Sequence, residues 1–239
     1  MALTNHHSEQ EVNQMFTRLA KRYDLMNDVV SLGTQRRWRQ KFFDQLAVFP
    51  GADSLDLCCG TADLTIKLAQ LAGPRGRTIG LDFNEAMLAA GAEKVKAADL
   101  NKDIELVQGD AMQLPFAANQ FDFVTIGFGL RNVPDAAQVL AEVMRVLKPG
   151  GWFGCLEMSQ PQSRLVRPFW RAYFQVFPVL ARTLGASYQD YSYLKETSMQ
   201  FVSAARLKAM METAGMQKVT VTPLNLGAAA IHCGQKPRS

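Results

Sequence analysis

Acidic side chains recur where apolar runs give way to small residues. The run Ser54 to Cys58 contains Asp56 and opens into the turn of LDLCCGTADL, with Gly60, Thr61 and Asp63. Asp82 closes a second run, Arg77 to Leu81, about twenty residues after that turn, the spacing of a nucleotide-binding fold. A third run, Ile104 to Gln108, ends in Gly109-Asp110-Ala111. Small residues in a strand-to-helix turn let backbone amides approach a ligand closely. An acid at the second strand end can accept hydrogen bonds from both ribose hydroxyls. An acid at the third can meet an adenine amino group, with Ala111 leaving room for the ring. Together these residues are suited to holding an adenosine. A fourth run, Phe121 to Gly127, leads into Phe128-Gly129-Leu130-Arg131-Asn132-Val133, and Glu157 ends a fifth with Ser159 just beyond. An Arg-Asn pair at such a position can orient a polar ring and its hydrogen-bonded water; loop and capping chemistry is the plainer alternative.

The elements that must position these side chains follow a β-α rhythm. The five runs, the last from Trp152 to Met158, are strand candidates. Helical patterns over Asp63 to Leu71, Glu85 to Ala98 and Asp135 to Leu147 lie between them. Such alternation implies a parallel, doubly wound sheet, whose ligand crevice lies at the carboxyl ends of the strands. Lys148-Pro149-Gly150-Gly151 reads as a helix stop and tight turn. Upstream, Glu9 to Leu32 reads as helical with Val12, Met15, Phe16 and Leu19 on one face, and Thr34 to Ala47 forms another helix. Downstream, Gln162 to Met199 is helical in pattern and aromatic-rich, with interruptions expected at Pro168, Pro178 and Gly185. A final helix, Ser203 to Ala214, precedes β-rich stretches at Gln217 to Thr222 and Ala228 to Gly234, joined through Asn225-Leu226-Gly227. The expected fold is therefore α/β: one domain over residues 1–239, with an N-terminal helical lid over about 9–47 and a helical insert over about 162–200.

Two features separate this pattern from a dinucleotide fold. A terminal hairpin takes the place of a further parallel strand. Of the glycines in a pyrophosphate-binding fingerprint only Gly60 remains, with Cys58 and Ala62 in glycine-like slots. S-adenosylmethionine carries no phosphate, so fewer glycines are required. The expectation is a class I S-adenosylmethionine-dependent methyltransferase with a seven-stranded, mostly parallel, Rossmann-like sheet. Asp56, Gly60, Thr61 and Asp63 would lie near the methionine end of the cofactor, Asp82 at the ribose, and Asp110 and Ala111 at the adenine.

Bulk properties narrow the partners. The net charge of +4 and sequence pI near 8.9 fall short of a nucleic-acid signature. Arg36, Arg37, Arg39 and Lys41 cluster, and Arg164, Arg167, Arg171 and Arg182 lie among aromatics. These fit an anionic ligand or membrane surface, and equally a solvated face. The 4 cysteines lack metal-ligand spacing, so no metal is expected and reduced thiols in a cytoplasmic protein fit best. No apolar run reaches the roughly eighteen residues of a spanning helix. His6 and His7 stand in a polar N-terminal tip and are given no metal role.

Beyond these motifs the chain resembles the ubiquinone/menaquinone biosynthesis C-methyltransferases. YDLMNDVVSLGTQRRW, Tyr23 to Trp38, and RVLKPGGWFGCLEMS, Arg145 to Ser159, match that family's two signatures; LDFNEAML and FGLRNV also look like it. The resemblance covers nearly the whole chain. It implies methyl transfer from S-adenosylmethionine to a ring carbon of a polyprenylated quinol. The form of the turn looks more like versions from menaquinone-making bacteria, so demethylmenaquinol is the expected substrate, with ubiquinol or phylloquinol precursors and a non-catalytic cofactor-binding scaffold as alternatives. The implied cofactor positions are Thr61, Asp82, Asp110 and Ala111. Arg131 would stabilise a developing phenolate, Asn132 would orient the ring or a water that takes the proton, and Tyr23, Asp24 and Asn27 would complete a lid. Phe169, Trp170, Tyr173, Phe174 and Phe177 in the insert would form a tail groove or a peripheral membrane contact on the inner face, or else pack on the sheet or form a homodimer face. Two departures are visible: the first signature usually carries His where this chain has Gln35, and Gly127 stands where related proteins often have Ser.

Overall fold

The structure is a computed structural model, and it describes residues 7–31, 33–183 and 188–238. Seven strands, β1 (Asp53–Leu57), β2 (Arg77–Asp82), β3 (Ile104–Gln108), β4 (Phe121–Gly127), β5 (Leu147–Met158), β6 (Gln217–Leu224) and β7 (Ala229–Gln235), form one sheet in the order β3-β2-β1-β4-β5-β7-β6. β1 to β5 pair in parallel, and β7 inserts antiparallel between β5 and β6. The helices are α1 (Glu9–Leu19), α2 (Tyr23–Val30), α3 (Gln35–Leu46), α4 (Asp63–Ala72), α5 (Glu85–Ala97), α6 (Ala136–Val146), α7 (Val166–Thr183), α8 (Tyr188–Gln200) and α9 (Ala204–Thr213).

Both faces of the sheet are covered, which is why its central strands read as continuous apolar runs rather than alternating ones. On one face Val139, Leu140 and Val143 of α6 and Leu207 and Met211 of α9 pack on Leu55, Val124 and Phe153. On the other, Trp38, Phe42 and Phe43 of α3 and Leu64 and Leu68 of α4 pack on Phe123, Leu156 and Ile231. Asp135 starts α6 by accepting from the amides of Ala137 and Gln138, orphan donors of the first turn. Asn84 starts α5 in the same way, accepting from Met87 N at 2.9 Å, and its amide reaches back to Thr17 of α1 at 2.8 Å. The same cap thus ties the N-terminal helix to the sheet. The predicted face of α1 is buried as expected: Val12, Met15, Phe16 and Leu19 join Met87 and the insert residues Tyr193 and Leu194 in one cluster.

Three expectations need correction. The N-terminal helix is divided by a 3-10 turn, Ala20–Arg22, which directs α2 across the carboxyl end of the sheet; Leu32 lies outside the described residues. Lys148 to Gly151 is a bulged part of β5 rather than a tight turn. Between the pairs Phe121–Leu147 and Phe123–Trp152 the strand advances five residues against two. The excess bonds to the chain after β7, with Gly150 N donating to Lys236 O and Lys236 N to Gly151 O. α7 also continues past Pro178; Pro168 sits in its first turn, where a missing N–H costs nothing. Gly185 and the side chains of Phe174 and Phe177 lie outside the described residues.

Candidate active site

Two adjoining pockets lie at the carboxyl ends of β1, β2 and β4, under α1 and α2. The larger, about 890 Å³ and partly open to solvent, is bounded by Asp82, Asp110, Phe83 and Met112 at one end and by Asn132, Phe16 and His7 at the other. The smaller, about 390 Å³, is bounded by Asp56, Thr61, Asp63, Asn27 and Arg39. Tyr23, Cys58, Gly60 and Phe128 line both and mark the junction. Pockets of this size suit a small organic ligand or cofactor.

The turn between β1 and α4 is built for close approach. Cys58, Gly60 and Ala62 all have positive φ, at 50°, 54° and 65°. At Gly60 a side chain would also crowd the Met87 methyl, so the two constraints coincide. Asp82 is 5% exposed, and its two carboxylate oxygens accept from Gly60 N at 2.8 Å and Asn84 N at 2.9 Å. Burial raises its pKa, and amide hydrogen bonds from Asn84, Gly60 and Phe83 oppose the rise. Asp82 therefore fixes the turn while facing the larger pocket. Asp110 accepts from Met112 N at 2.8 Å, and Ala111 lies beside it on the same wall. Asp56 receives the hydroxyls of Thr65 and Thr125, each at 2.7 Å. Cys58 and Cys59 are pushed well above the ordinary thiol range, first by burial and then by neighbouring carboxylates, so both remain neutral thiols. No cluster of three His, Cys, Asp or Glu able to hold a metal occurs among the described residues.

A charge network closes α2 and α3 over the turn. Thr61 Oγ1 donates to Asp24 at 2.7 Å; Lys94 of α5 donates to Asp24 at 2.8 Å and also to Asp63; Arg39 reaches Asp63 at 2.6 Å. Burial alone would raise the Asp24 pKa, but hydrogen bonds from Lys94 and Thr61 prevail and lower it. Gln35, 4% exposed, donates to Asp28 at 2.6 Å and accepts from Arg39 at 3.0 Å. An amide can do both at once, so this departure from the family signature leaves the α3 network complete. At Gly127 the space a side chain would occupy is taken by Leu64.

The fourth-strand loop is organised by a buried ion pair. Arg131, 6% exposed, meets Glu157, 1% exposed, at 2.5 Å, and donates to Phe128 O at 2.8 Å. Burial would lower the arginine pKa, but Glu157 outweighs it and the net shift is upward. The guanidinium thus stands behind the pocket wall with a carboxylate as its first partner. Asn132 faces the larger pocket; its amide donates to Phe128 O at 3.1 Å and its carbonyl accepts from Tyr193 OH at 3.1 Å. The Tyr23 phenol is raised by burial, with the positive charge of Arg131 opposing the rise.

The structure thus gathers Tyr23, Asn27, Asp56, Gly60, Thr61, Asp63, Asp82, Asp110, Ala111 and Asn132 around one cleft, with Asp24 and Arg131 in the layer behind. Sequence reasoning gave no role to Lys94 or Tyr193, and placed Arg39 only within a basic cluster suited to an anionic ligand, a membrane surface or a solvated face. For Lys94 a signal existed: Met87, Gly91 and Lys94 recur at helical spacing on the α5 face that meets the turn. Tyr193 reaches Asn132 across 61 residues, and no local pattern announces it.

The donor set fits S-adenosylmethionine: a buried acid at the end of the second strand, small residues and no triple-glycine cradle, and a second pocket with both signs of charge. The model of the ubiE/COQ5 methyltransferase family matches residues 4–236. A demethylmenaquinone methyltransferase of Lactobacillus johnsonii is 54% identical over 238 residues, covering 100% of this chain and 98% of that one. A demethylmenaquinone methyltransferase of Bacillus cereus is 46% identical over 232 residues, covering 97% and 98%. Among solved structures, the [4+2]-cyclase SpnF superposes with a TM-score of 0.72 at 17% identity, over 100% of this chain and 99% of that one. A putative S-adenosyl-L-methionine-dependent methyltransferase of Methanococcus maripaludis gives 0.67 at 18%, over 93% and 94%. At such identities the structural likenesses speak for the fold alone, whereas the family match runs almost from end to end, and on that ground the chain belongs to the ubiE/COQ5 methyltransferase family.

Proposed function

We propose that this protein, acting as a single methyltransferase domain, methylates a ring carbon of demethylmenaquinol with S-adenosylmethionine as donor. The observation that carries the head group is the end-to-end identity of 46–54% with demethylmenaquinone methyltransferases. Asp82 would hold the ribose, Asp110 and Ala111 the adenine, and Asp56, Gly60, Thr61 and Asp63 the methionine end. The bound cofactor supplies a methyl group already activated by its sulfonium charge. What remains for the protein is positioning and proton removal. Asn132, locked by Phe128 O and Tyr193, orients the ring hydroxyl or a water that takes its proton. Arg131 holds the Phe128–Asn132 loop through Phe128 O and Glu157 and would lend positive potential to a phenolate formed beside it. Tyr23, Asp24 and Asn27 complete the lid over the cofactor. The polyprenyl tail leaves over the insert, whose exposed Leu165 and Phe169 support contact with the inner face of a membrane; pairing with a second copy is the competing use of that surface.

The test is transfer of a labelled methyl group to reduced demethylmenaquinone and to the corresponding ubiquinol and phylloquinol precursors. Preferential labelling of demethylmenaquinol is expected. Preference for another precursor would reassign the head group, and cofactor binding without any transfer would favour a scaffold. Arg131→Ala should lower turnover about 100-fold or more, the scale of losing an oxyanion stabiliser, with little change in cofactor affinity. Loss of cofactor binding with normal turnover at saturation would remove Arg131 from the chemistry.

A further inference from the structure

We propose that Arg39 binds the α-carboxylate of the cofactor's methionine moiety and that Gln35 is its positioning residue; this deepens the cofactor reading above and rests on it. The methionine end is a zwitterion, and the smaller pocket must match both of its charges. Asp56 and Asp63 suit the ammonium group. A carboxylate brought beside Asp63 is repelled unless a cation stands with it. Arg39 is the one basic side chain among the described residues lining that pocket. Lys94, nearby, lines neither pocket and is committed to Asp24, Asp63 and Thr61.

Arg39 is held in a defined pose. Its Nη1 lies 2.6 Å from Asp63 and its Nη2 donates to Gln35 Oε1 at 3.0 Å. Those two bonds take two of the five N–H donors of a guanidinium, whose rigid fork suits a carboxylate. The side chain is only 21% exposed, so a charge-assisted bond there competes with little water. Gln35 is anchored at its other end by Asp28 at 2.6 Å, and its backbone N–H donates to Ser31 Oγ at 3.3 Å. The chain Asp28–Gln35–Arg39–Asp63 therefore runs from the lid helices to the first turn of α4 and fixes the guanidinium over the pocket. The competing role is a latch that merely holds α3 to α4.

Calorimetric affinities for S-adenosylmethionine and for its decarboxylated form separate the two, because the pair differs only in the carboxylate. The wild-type protein should prefer S-adenosylmethionine. Arg39→Ala should weaken it about 10- to 100-fold, the worth of a charge-assisted hydrogen bond, while the decarboxylated compound changes less than about 2-fold. Arg39→Lys should fall between, as a point charge without the fork. Gln35→Leu should reduce the preference while sparing the decarboxylated ligand, which a purely structural role would not do. Equal weakening of both ligands in Arg39→Ala, or equal affinity of the wild type for both, overturns the assignment. Failure of the folded wild type to bind either compound overturns the cofactor reading and this inference with it.

Discussion

Asp56 sits in β1 with 1% exposure, held by the hydroxyls of Thr65 and Thr125 and the backbone N–H of Thr65, and close enough to Asp82 to feel its charge. Burial pushes its carboxyl up to about 7, the two hydroxyls oppose the rise, and the charge of Asp82 adds to it. In the unfolded chain the same group ionises near 3.9. Between those values the native state keeps a proton that the unfolded state has lost. The contribution of this group to stability is therefore fully present below about pH 4 and is lost as pH rises through 7. Asp56→Asn, which mimics the neutral acid, should flatten the slope of unfolding free energy between pH 5 and 8 measured by urea titration; an unchanged slope would show that the carboxyl is already ionised across that range. Residue types at the strand ends were legible because the chemistry of an adenosine fixes both their kind and their spacing. Partner choice was not. The sequence puts Arg131 and Asn132 side by side with separate roles at one ring, yet the fold turns one toward Glu157, 26 residues on, and the other toward the pocket. Nothing in FGLRNV distinguishes the two, because Glu157 becomes a neighbour only once β4 and β5 pair.

Helix α2 reaches the turn between β1 and α4 through polar side chains, whereas α3 reaches it through Arg39 and also packs on α4 and the sheet through Trp38, Phe42 and Phe43. Lys94 stands at the centre of that closure, with Asp24 on α2 and Asp63 on α4 as partners. Its side chain is 31% exposed and Asp24 47%, so each pair is worth little to global stability, under about 1 kcal/mol. Local opening is another matter: if α2 serves as the proposed lid, it would lift without unfolding the sheet. Lys94→Met should leave the unfolding midpoint nearly unchanged while speeding amide exchange in α2 and raising the KM for S-adenosylmethionine several-fold. A large drop in the midpoint with unaltered exchange would mean that Lys94 supports the core instead of the lid. Periodicity revealed that this region is helical and which face of α1 is buried. It could not reveal the 3-10 break at Ala20–Arg22, because a short tightened turn leaves the apolar spacing almost intact. Lys148 to Gly151 misled for a related reason: Pro and Gly mark turns, but they also mark strand bulges, and only the pairing partner decides between them.

At the scale of the whole molecule a seven-stranded, mostly parallel sheet was legible from β-α alternation and the terminal hairpin, whereas its strand order emerges only from the pairing. Fold alone does not choose a reaction, however: the same architecture superposes on a [4+2]-cyclase over the full chain. What adapts this molecule to an oily substrate must then lie outside the sheet, and α7 with the turn before it divides its apolar residues accordingly. Trp170 is 8% exposed and packs with Trp38 and Leu224, and Tyr173 bridges that cluster to the lid cluster, so these two aromatics serve the core. Leu165 and Phe169, at 82% and 78% exposure, do not, and Arg164, Arg167 and Arg171 are exposed around them. The sequence could not make that division, since Phe, Trp and Tyr at helical spacing look alike until the helix is docked. No helix among the described residues is long and apolar enough to cross a membrane, and the membrane contact proposed above is the exposed face around Leu165 and Phe169. Each basic residue near an anionic bilayer contributes about 1 kcal/mol, and insertion of a large apolar side chain adds roughly 1.5–3 kcal/mol. The protein should therefore float with anionic vesicles at low salt and lose most of that binding in the Leu165→Ser/Phe169→Ser variant or at high salt. The same variant should methylate a short-tailed, water-soluble quinol at the wild-type rate while slowing on the long-tailed quinol in vesicles, because the cleft lies apart from these two side chains. Flotation that survives both treatments would rule out this face as the membrane contact. A shift from dimer to monomer in sedimentation, without any change in flotation, would assign Leu165 and Phe169 to a contact between two copies of the chain.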